Sequence, residues 1–146
     1  YTLSLHDALP ILPVTEKWAA IVPSCVPLAK RNSVTAEELA KVRVIMPSRK
    51  KVHAEVANWF GKHYEHLNIA AVSNLSTNSA LLVEAGLGYA LTTEGALPFL
   101  KESRIRMIPL SPELTATSVL AWKRRLPFSS ATEHFLEFFR KKVEDQ

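Results

Sequence analysis

A strand–helix–strand pattern between residues 68 and 93 constrains the fold of this chain more than any other feature. Residues 68–72 and 87–91 are continuous apolar runs, which are typical of parallel strands covered on both faces. A short apolar helix lies between them, and Gly86 follows it where glycine can adopt the left-handed conformation that ends a helix. The pattern predicts two parallel strands joined by a helix, and Gly88 is expected to let the second strand approach a neighbour closely.

The loop after the first of these strands is dense in hydroxyl and amide groups, since it contains Ser73, Asn74, Ser76 and Thr77. Either Ser76 or Thr77 could cap the helix by accepting from its first N–H groups. Ligands of open α/β sheets sit outside the carboxyl ends of the strands, against helix N-termini. The loop has no nucleophile–base pair and no metal-ligand set, so it suits holding a small molecule rather than transforming one.

A second polar pair, Ser48 and Arg49, follows a predicted strand at residues 43–46 and begins a helical pattern. A helix N-terminus and a guanidinium fork both favour anions, so this pair could bind a carboxylate. A plain N-cap and a solvated arginine explain the same two residues equally well. The sequence leaves both interpretations open.

Strands and helices alternate along the chain, which predicts an α/β fold with a mostly parallel sheet. Further strands are predicted at residues 17–22, 105–110 and 118–123, with a short turn or helix at 95–100. Helices are predicted to begin at Thr35, at Ser48 or Arg49, and at Ser129 or Ser130. The second of these should run to about His66 and be the longest.

Local patterns refine the helix predictions. Capping boxes are predicted for Thr35 with Glu38, where Val34 and Leu39 form a hydrophobic staple, and for Ser130 with Glu133. Core-facing stripes are predicted for Val52, Val56, Trp59, Phe60 and His63, and for Phe135, Phe138, Phe139 and Val143 on the last helix. Tyr89 and Trp122 could line a cleft or only pack.

Composition excludes several classes of function. The formal charge is +4, but the basic residues are scattered, whereas a DNA-reading surface concentrates them, so we do not expect this chain itself to bind DNA. The single cysteine, Cys25, cannot form an internal disulfide, which fits a reducing, cytoplasmic setting, and it is expected to be buried or half-buried. No apolar run reaches the roughly 18 residues of a membrane span, and no signal peptide is evident.

No cofactor or metal site is indicated. His63 and His66 are three residues apart on one predicted helix, but no cysteine or carboxylate cluster completes a metal site. Residues 53–55, His-Ala-Glu, match the first half of a zinc-deaminase signature, but its second half, a Pro-Cys-x-x-Cys motif, does not occur in the sequence. Gly86 and Gly88 do not form a dinucleotide-binding fingerprint, because the third glycine and the following helix are missing.

Residues 1–11 do not read like the rest of the chain. They show no clear period, and they resemble translated sequencing-adapter read-through, so we exclude them from fold reasoning. On this interpretation the native chain enters in the middle of a domain near Leu12, and upstream protein is missing.

Several motifs together resemble the effector-binding domain of LysR-type transcriptional regulators. They lie, in order, at residues 18–23, 27–29, 35–39, 83–91, 108–110, 122–123 and 128–136. Each motif alone is weak, whereas the ordered set is specific, and the resemblance covers about residues 12–144. It implies a two-lobe fold similar to type 2 periplasmic binding proteins, with one complete lobe and one partial lobe here. The implied divisions are a crossover strand at 12–22, lobe II at 23–104, and a return strand with the end of lobe I at 105–146.

The resemblance also implies a function. A small anionic effector would bind between the lobes and control DNA binding by a separate helix-turn-helix domain that is absent here. The full-length protein would be a homo-oligomer and not an enzyme. The implied ligand-binding residues are Ser48, Arg49, Ser73, Asn74, Ser76 and Thr77. A solute-binding protein of a transport system is the alternative with the same fold, and an enzyme on this scaffold would need a base or nucleophile in the cleft.

Overall fold

The computed structural model describes residues 14–98, 104–118 and 127–144. The chain divides into two compact units, of which one is Glu16–Ala116 and the other combines Tyr1–Thr15 with Thr117–Gln146. Within the described ranges, no helix is long and apolar enough to cross a membrane.

Strands and helices alternate, as the sequence predicts. The described strands are β1 (Val14–Pro23), β2 (Val34–Thr35), β3 (Arg43–Pro47), β4 (Asn68–Ser73), β5 (Tyr89–Thr93), β6 (Ile105–Ser111) and β7 (Thr115–Ser118). The described α-helices are α1 (Ala36–Ala40), α2 (Lys50–Phe60), α3 (Ser76–Glu84) and α4 (Ser130–Glu144). Short 3₁₀ helices lie at Pro27–Lys30, Gly61–His66 and Glu94–Ala96. Parts of the predictions at 95–100 and 118–123, including Trp122, lie outside the described residues.

The strands form a mixed sheet in the order β2-β6-β1-β5-β3-β4, and β7 pairs with β1. β3 runs parallel to both β4 and β5, whereas β1 runs antiparallel to β5 and β6. The predicted strand–helix–strand unit is therefore confirmed as β4–α3–β5, with β3 lying between its two strands. Because β3, β4 and β5 are parallel, their carboxyl ends meet at the same end of the sheet.

The prediction that residues 68–72 are covered on both faces is wrong. β4 is the last strand of the sheet order and, among the described strands, has only β3 beside it. The side chains of Ile69 and Val72 are 42% and 60% exposed. An apolar run alone does not distinguish a central strand from an edge strand.

Alternation along the central strands divides the apolar side chains between two cores. Val44 and Met46 of β3 pack in one core with Phe60 of α2. Ile45 points to the opposite face and packs in the other core with Val83 of α3. Fully burying side chains of this size contributes about 1.5–3 kcal/mol each. The two cores therefore fix α2 and α3 against opposite faces of the same three strands.

Both glycines of the organising segment behave as predicted. Gly86 has a φ of +75° and follows the end of α3. Gly88 lies where β5 approaches β3, and a Cβ there would lie 2.6 Å from the backbone oxygen of Arg43. The guanidinium of Arg43 in turn donates to the carbonyl of Gly86 at 2.9 Å.

The start of α1 has the predicted capping box. The Glu38 carboxylate accepts from the Thr35 N–H at 2.9 Å, and the Thr35 hydroxyl accepts from the Glu38 N–H at 3.3 Å. Val34 and Leu39, the predicted staple, are both fully buried. These bonds satisfy donors that a helix start otherwise leaves unpaired.

α2 is shorter than predicted, and it is not the longest helix. It has 11 residues and ends at Phe60, whereas α4 has 15. Gly61 takes a φ of +53°, which an α-helix cannot accommodate, and a 3₁₀ helix continues to His66. The predicted stripe is otherwise confirmed, since Val56 and Phe60 are buried and Trp59 packs partly against them.

The predictions for α4 are confirmed in part. Ser129, one of the two predicted caps, accepts from the Thr132 N–H at 3.3 Å through its hydroxyl, whereas Ser130 is already the first residue of the helix and not the cap of a box with Glu133. Phe135 and Phe138, which were expected in the core, are 53% and 64% exposed, whereas Leu136 is buried. The ring of Phe135 instead stacks on that of Phe139, 5.7 Å away between centroids.

Two residues of uncertain environment are now placed. Cys25 is exposed, contrary to prediction, because it lies in the turn between β1 and the first 3₁₀ helix. Tyr89 packs partly against the core that contains Val44. Burial raises the pKa of the Tyr89 hydroxyl above its ordinary value.

Candidate functional site

A cavity of about 320 Å³ lies at the carboxyl ends of β3, β4 and β5, within the Glu16–Ala116 unit. The loop after β3 and the loop after β4 both border it. The Ser48 N–H donates to the carbonyl of Ser73 at 2.9 Å, which holds these two loops together. This is where the sequence places a ligand, because side chains from several strands converge there.

Five of the six residues predicted to bind a ligand line this cavity: Ser48, Arg49, Ser73, Asn74 and Ser76. Thr77 is not among the lining residues and is exposed. Successive residues of a helix point about 100° apart, so Ser76 and Thr77 cannot face the same cavity, whereas Ser79, three residues after Ser76, does.

Sequence reasoning missed the other lining residues. The polar ones are Ser79, Thr92 and Thr93, and the apolar or aromatic ones are Trp18, Pro47, Val52, Leu75 and Leu91. Thr92 and Thr93 end β5, so the strand-end rule that selected Ser73 could have found them. Helical spacing from Ser76 could have found Ser79. Trp18 gives no local signal, because it reaches the cavity only through the pairing of β1 with β5.

The hydroxyl groups around the cavity are linked to one another and to the backbone. The hydroxyls of Ser76 and Thr92 are 2.7 Å apart and share a hydrogen bond. The hydroxyls of Ser73 and Ser79 each donate to the carbonyl of Leu75 at 3.1 Å. Ser76 therefore bonds across to β5, and the prediction that Ser76 or Thr77 caps α3 is wrong.

Two helices begin beside the cavity without a side-chain cap. The N-cap of α2 is Arg49 and that of α3 is Leu75, and neither makes a side-chain capping bond. Ser48 is thus not the N-cap, and Arg49 takes that position with an exposed guanidinium, so its roles as a solvated arginine and as an anion ligand both stay open. Uncapped N–H groups at a helix start carry partial positive charge and attract anions.

Arg49 is the one charged side chain among the described residues that line the cavity. It is exposed, and no described residue forms an ion pair with its guanidinium. The cavity rim therefore has a single positive charge, together with neutral donors and acceptors and with two helix starts of the same sign.

His53 supports the loop that carries Ser48 and Arg49. Its Nδ1 lies 2.9 Å from the carbonyl of Pro47, and its Nε2 lies 2.8 Å from the Tyr64 hydroxyl. Because a carbonyl can only accept, Nδ1 donates to Pro47, while Nε2 and the Tyr64 hydroxyl share the second hydrogen bond. The imidazole thus ties the end of β3 to the 3₁₀ helix that follows α2.

Trp18 closes the side of the cavity formed by β1. It is opposite Thr93 in the register of β1 with β5, and its side chain is only 6% exposed. The indole Nε1 is buried and has no hydrogen-bond partner among the described residues. Buried polar groups are nearly always paired, so this N–H is exceptional.

No group of three or more potential metal ligands occurs in the described part of the chain. His63 and His66 lie on the 3₁₀ helix after α2 and do not line the cavity. The residues that do line it are hydroxyls, one amide, one guanidinium and apolar groups, which can hold an oxygen-rich small molecule.

A cavity at the carboxyl ends of parallel strands, between helix starts, defines a small-molecule-binding α/β domain. The family model for the LysR substrate binding domain matches residues 6–144, and the chain belongs to this family. No curated protein matches the chain significantly.

Solved structures of the family have the same fold at low sequence identity. HinK, a LysR family transcriptional regulator from Pseudomonas aeruginosa, is 17% identical with a TM-score of 0.80, covering 98% of this chain and 50% of that one. The effector binding domain of QuiR in complex with shikimate is 18% identical with a TM-score of 0.79, covering 100% and 70%. The regulatory domain of Synechocystis PCC6803 CcmR in complex with 2-PG is 17% identical with a TM-score of 0.74, covering 99% and 72%. The chain spans about half the length of HinK and of a second Pseudomonas aeruginosa protein, at 50% and 52%.

Proposed function

We propose that this chain is the effector-binding part of a LysR-type transcriptional regulator, and that it senses a small anionic metabolite in the cavity beside Arg49. The observation that carries the proposal is the convergence of Arg49 with seven hydroxyl-bearing or amide-bearing side chains at one end of three parallel strands. Family membership supports the regulatory role over a transport solute-binding protein.

The charge distribution favours an anion. A guanidinium can form two parallel bonds with a carboxylate or phosphate. The uncapped starts of α2 and α3 add N–H groups and dipoles of the same sign, and no described acidic side chain lines the cavity. We propose Ser48, Arg49, Ser73, Asn74 and Ser76 as ligand contacts; the position of Thr77 on the outer side of α3 does not support the same role for it.

The remainder of the proposal concerns the whole protein. Residues 23–104 form lobe II, residues 12–22 and 105–146 belong to the crossover strands and the end of lobe I, and residues 1–11 are not native. DNA is bound by a separate helix-turn-helix domain, the protein acts in the cytoplasm, and the effector is bound without being transformed. The full-length protein is a homo-oligomer, which the exposed Ile69 and Val72 on the edge strand β4 would help to form.

A thermal-shift screen of carboxylic and phosphorylated metabolites on the full-length protein tests the proposal. A ligand that binds only the folded state increases the free energy of unfolding, by about 2.7 kcal/mol at 100 times its Kd, and so raises the melting temperature. Arg49→Ala should remove most of this rise. Arg106→Ala, which removes an exposed arginine of β6 outside the cavity, is the matched control and should leave the rise intact.

Two results would contradict the proposal. A full rise in the Arg49→Ala protein would place Arg49 outside the site. A ligand that raises the melting temperature but leaves the affinity for operator DNA unchanged would contradict the regulatory role, because an effector acts only by binding two states unequally.

A further inference from the structure

The segment that leads from β3 into α2, residues 47–49, is held by a hydrogen bond at each of its three residues. The imidazole Nδ1 of His53 donates to the carbonyl of Pro47 at 2.9 Å, and the backbone N–H of His53 donates to the carbonyl of Arg49 at 2.8 Å. The Ser48 N–H between them donates to the carbonyl of Ser73 at 2.9 Å. Two of these three bonds therefore come from one residue, His53.

His53 acts from outside the cavity. It is not a lining residue, although residues 47–49 and Val52, on its N-terminal side, all are. The other side of its ring meets Tyr64, whose hydroxyl oxygen lies 2.8 Å from Nε2 and whose ring is edge-on at 6.0 Å between centroids. Tyr64 in turn packs partly against the core that contains Phe60. The orientation of the imidazole is thus set by the core, and the imidazole passes that orientation on to Pro47.

A fixed segment matters because Arg49 depends on its backbone for its position. No ion pair with a described residue holds its guanidinium. A guanidinium binds a carboxylate or phosphate through two parallel bonds, which need a defined orientation. Ordering a loose segment at the moment of binding costs affinity, whereas a segment that is already ordered avoids this cost.

We infer that His53 and Tyr64 are positioning residues of the anion site, which hold residues 47–49 in the conformation that presents Ser48 and Arg49 to a ligand. This inference rests on the proposed function, since it concerns the same cavity. It differs from a purely structural role, in which His53 would stabilise the fold without affecting ligand affinity.

Titration calorimetry on the full-length protein with cyclohexanecarboxylate tests the role of His53. This probe combines a carboxylate for Arg49 with an apolar ring that suits the apolar part of the cavity lining. His53→Ala should weaken its binding about fivefold, the effect of one hydrogen bond of about 1 kcal/mol. His53→Asn should bind within about twofold of wild type, because its amide nitrogen is as many bonds from the backbone as Nδ1 and can donate to Pro47.

His66→Ala is the matched control. His66 is exposed on the same 3₁₀ helix as Tyr64 and does not line the cavity, so its removal should leave the affinity for the probe unchanged. Tyr64→Phe deletes only the hydroxyl that meets the imidazole, and it should weaken binding about twofold. In the His53→Asn background the same change should have no effect, because the imidazole that Tyr64 orients is gone.

A double-mutant cycle shows whether His53 acts through Arg49. In the Arg49→Ala background, His53→Ala should cost less than about twofold in affinity, because the side chain that it positions is missing. Amide hydrogen exchange without the probe gives a second measurement. His53→Ala should speed exchange of the Ser48 N–H, whereas His53→Asn should not.

The outcomes separate this inference from the proposed function. Unchanged probe affinity in His53→Ala, or an equal loss in the Arg49→Ala background, would overturn the positioning role and leave the anion site standing. If His53→Ala does not fold, a Tyr64→Phe protein that binds the probe as wild type does, or a His53→Asn protein that loses fivefold, would overturn it equally. Probe binding that is indifferent to Arg49→Ala, or no binding of either cyclohexanecarboxylate or inorganic phosphate to the wild-type protein, would overturn both.

Discussion

The start of α1 differs from the starts of α2 and α3 in whether a side chain caps its unpaired N–H groups. Every helix start has N–H groups without an intrahelical acceptor. At α1 the side chains of Thr35 and Glu38 satisfy two of them reciprocally, and neither residue lines the cavity. At α2 and α3 the N-cap residues are Arg49 and Leu75, which make no side-chain capping bond, and both starts border the cavity. The comparison indicates that this chain caps a helix that only packs and leaves uncapped the helices that can meet a ligand.

Removing the cap at α1 should have the largest effect on stability. Thr35→Ala deletes the hydroxyl that accepts from the Glu38 N–H, and the loss of such an N-cap costs about 1 kcal/mol of the free energy of unfolding. Urea denaturation of the full-length protein measures this change. Thr77→Ala is the matched control, because that threonine is exposed outside the cavity and is expected to change stability by no more than about 0.5 kcal/mol. Ligand affinity should be the same in both variants. A loss of affinity in Thr35→Ala would contradict the distinction between a capped helix start that only packs and uncapped starts that meet the ligand.

Adding a cap at α3 should have a smaller effect on stability and the opposite effect on binding. Leu75 already has the extended backbone of an N-cap, with φ −130° and ψ 134°. Leu75→Asp should therefore stabilise the unliganded protein by about 0.5–1 kcal/mol relative to Leu75→Ala, because its carboxylate accepts from the first turn. The same carboxylate should weaken binding of an anion at least severalfold, because it occupies the donors and adds a like charge.

Leu75→Ser separates the two causes of the weaker binding. It provides a neutral cap, so it should weaken anion binding less than Leu75→Asp does. If Leu75→Asp binds anions as tightly as Leu75→Ala, the N-terminus of α3 does not contribute to the site. Thermal shift with the best carboxylate from the screen, over a range of ligand concentrations, gives these affinities.

Local patterns predicted those parts of the molecule that local interactions determine. The capping box of Thr35 and the glycine stop at Gly86 depend on residues a few positions apart, and both were predicted. The strand-end rule brought Ser48 and Ser73 to one cavity, because it needs only the parallel order of the strands.

Features that depend on distant partners were missed. Trp18 reaches the cavity through antiparallel pairing with a strand more than seventy residues later in the chain, which no local pattern shows. Ile69 sits in an apolar run like that of a central strand, but the sheet order makes it an edge residue. The stripe on α4 failed for a similar reason, since helical periodicity gives the spacing of apolar residues but not which of them faces a core.

The carboxylate of Glu38 should give the smallest effect, and one that depends on pH. Its pKa lies below its ordinary value, chiefly because it accepts from the Thr35 backbone N–H and also from the Thr35 hydroxyl. A carboxyl with a lowered pKa in the folded state stabilises that state above its unfolded pKa of about 4.3, and this contribution disappears as the pH falls through the folded pKa. The stability difference between wild type and Glu38→Gln should therefore be constant near neutral pH and shrink below about pH 4.

Glu55→Gln on α2 is a suitable control, because that exposed carboxylate belongs to no capping box. Urea denaturation at several pH values should show no shrinking difference for it. A Glu38→Gln difference that stayed constant down to pH 3 would mean that the α1 cap does not depend on the charge of its carboxylate. The contrast with α2 and α3 would then rest on hydrogen bonding alone, and an anion at their starts would gain from the free N–H groups rather than from the helix dipoles.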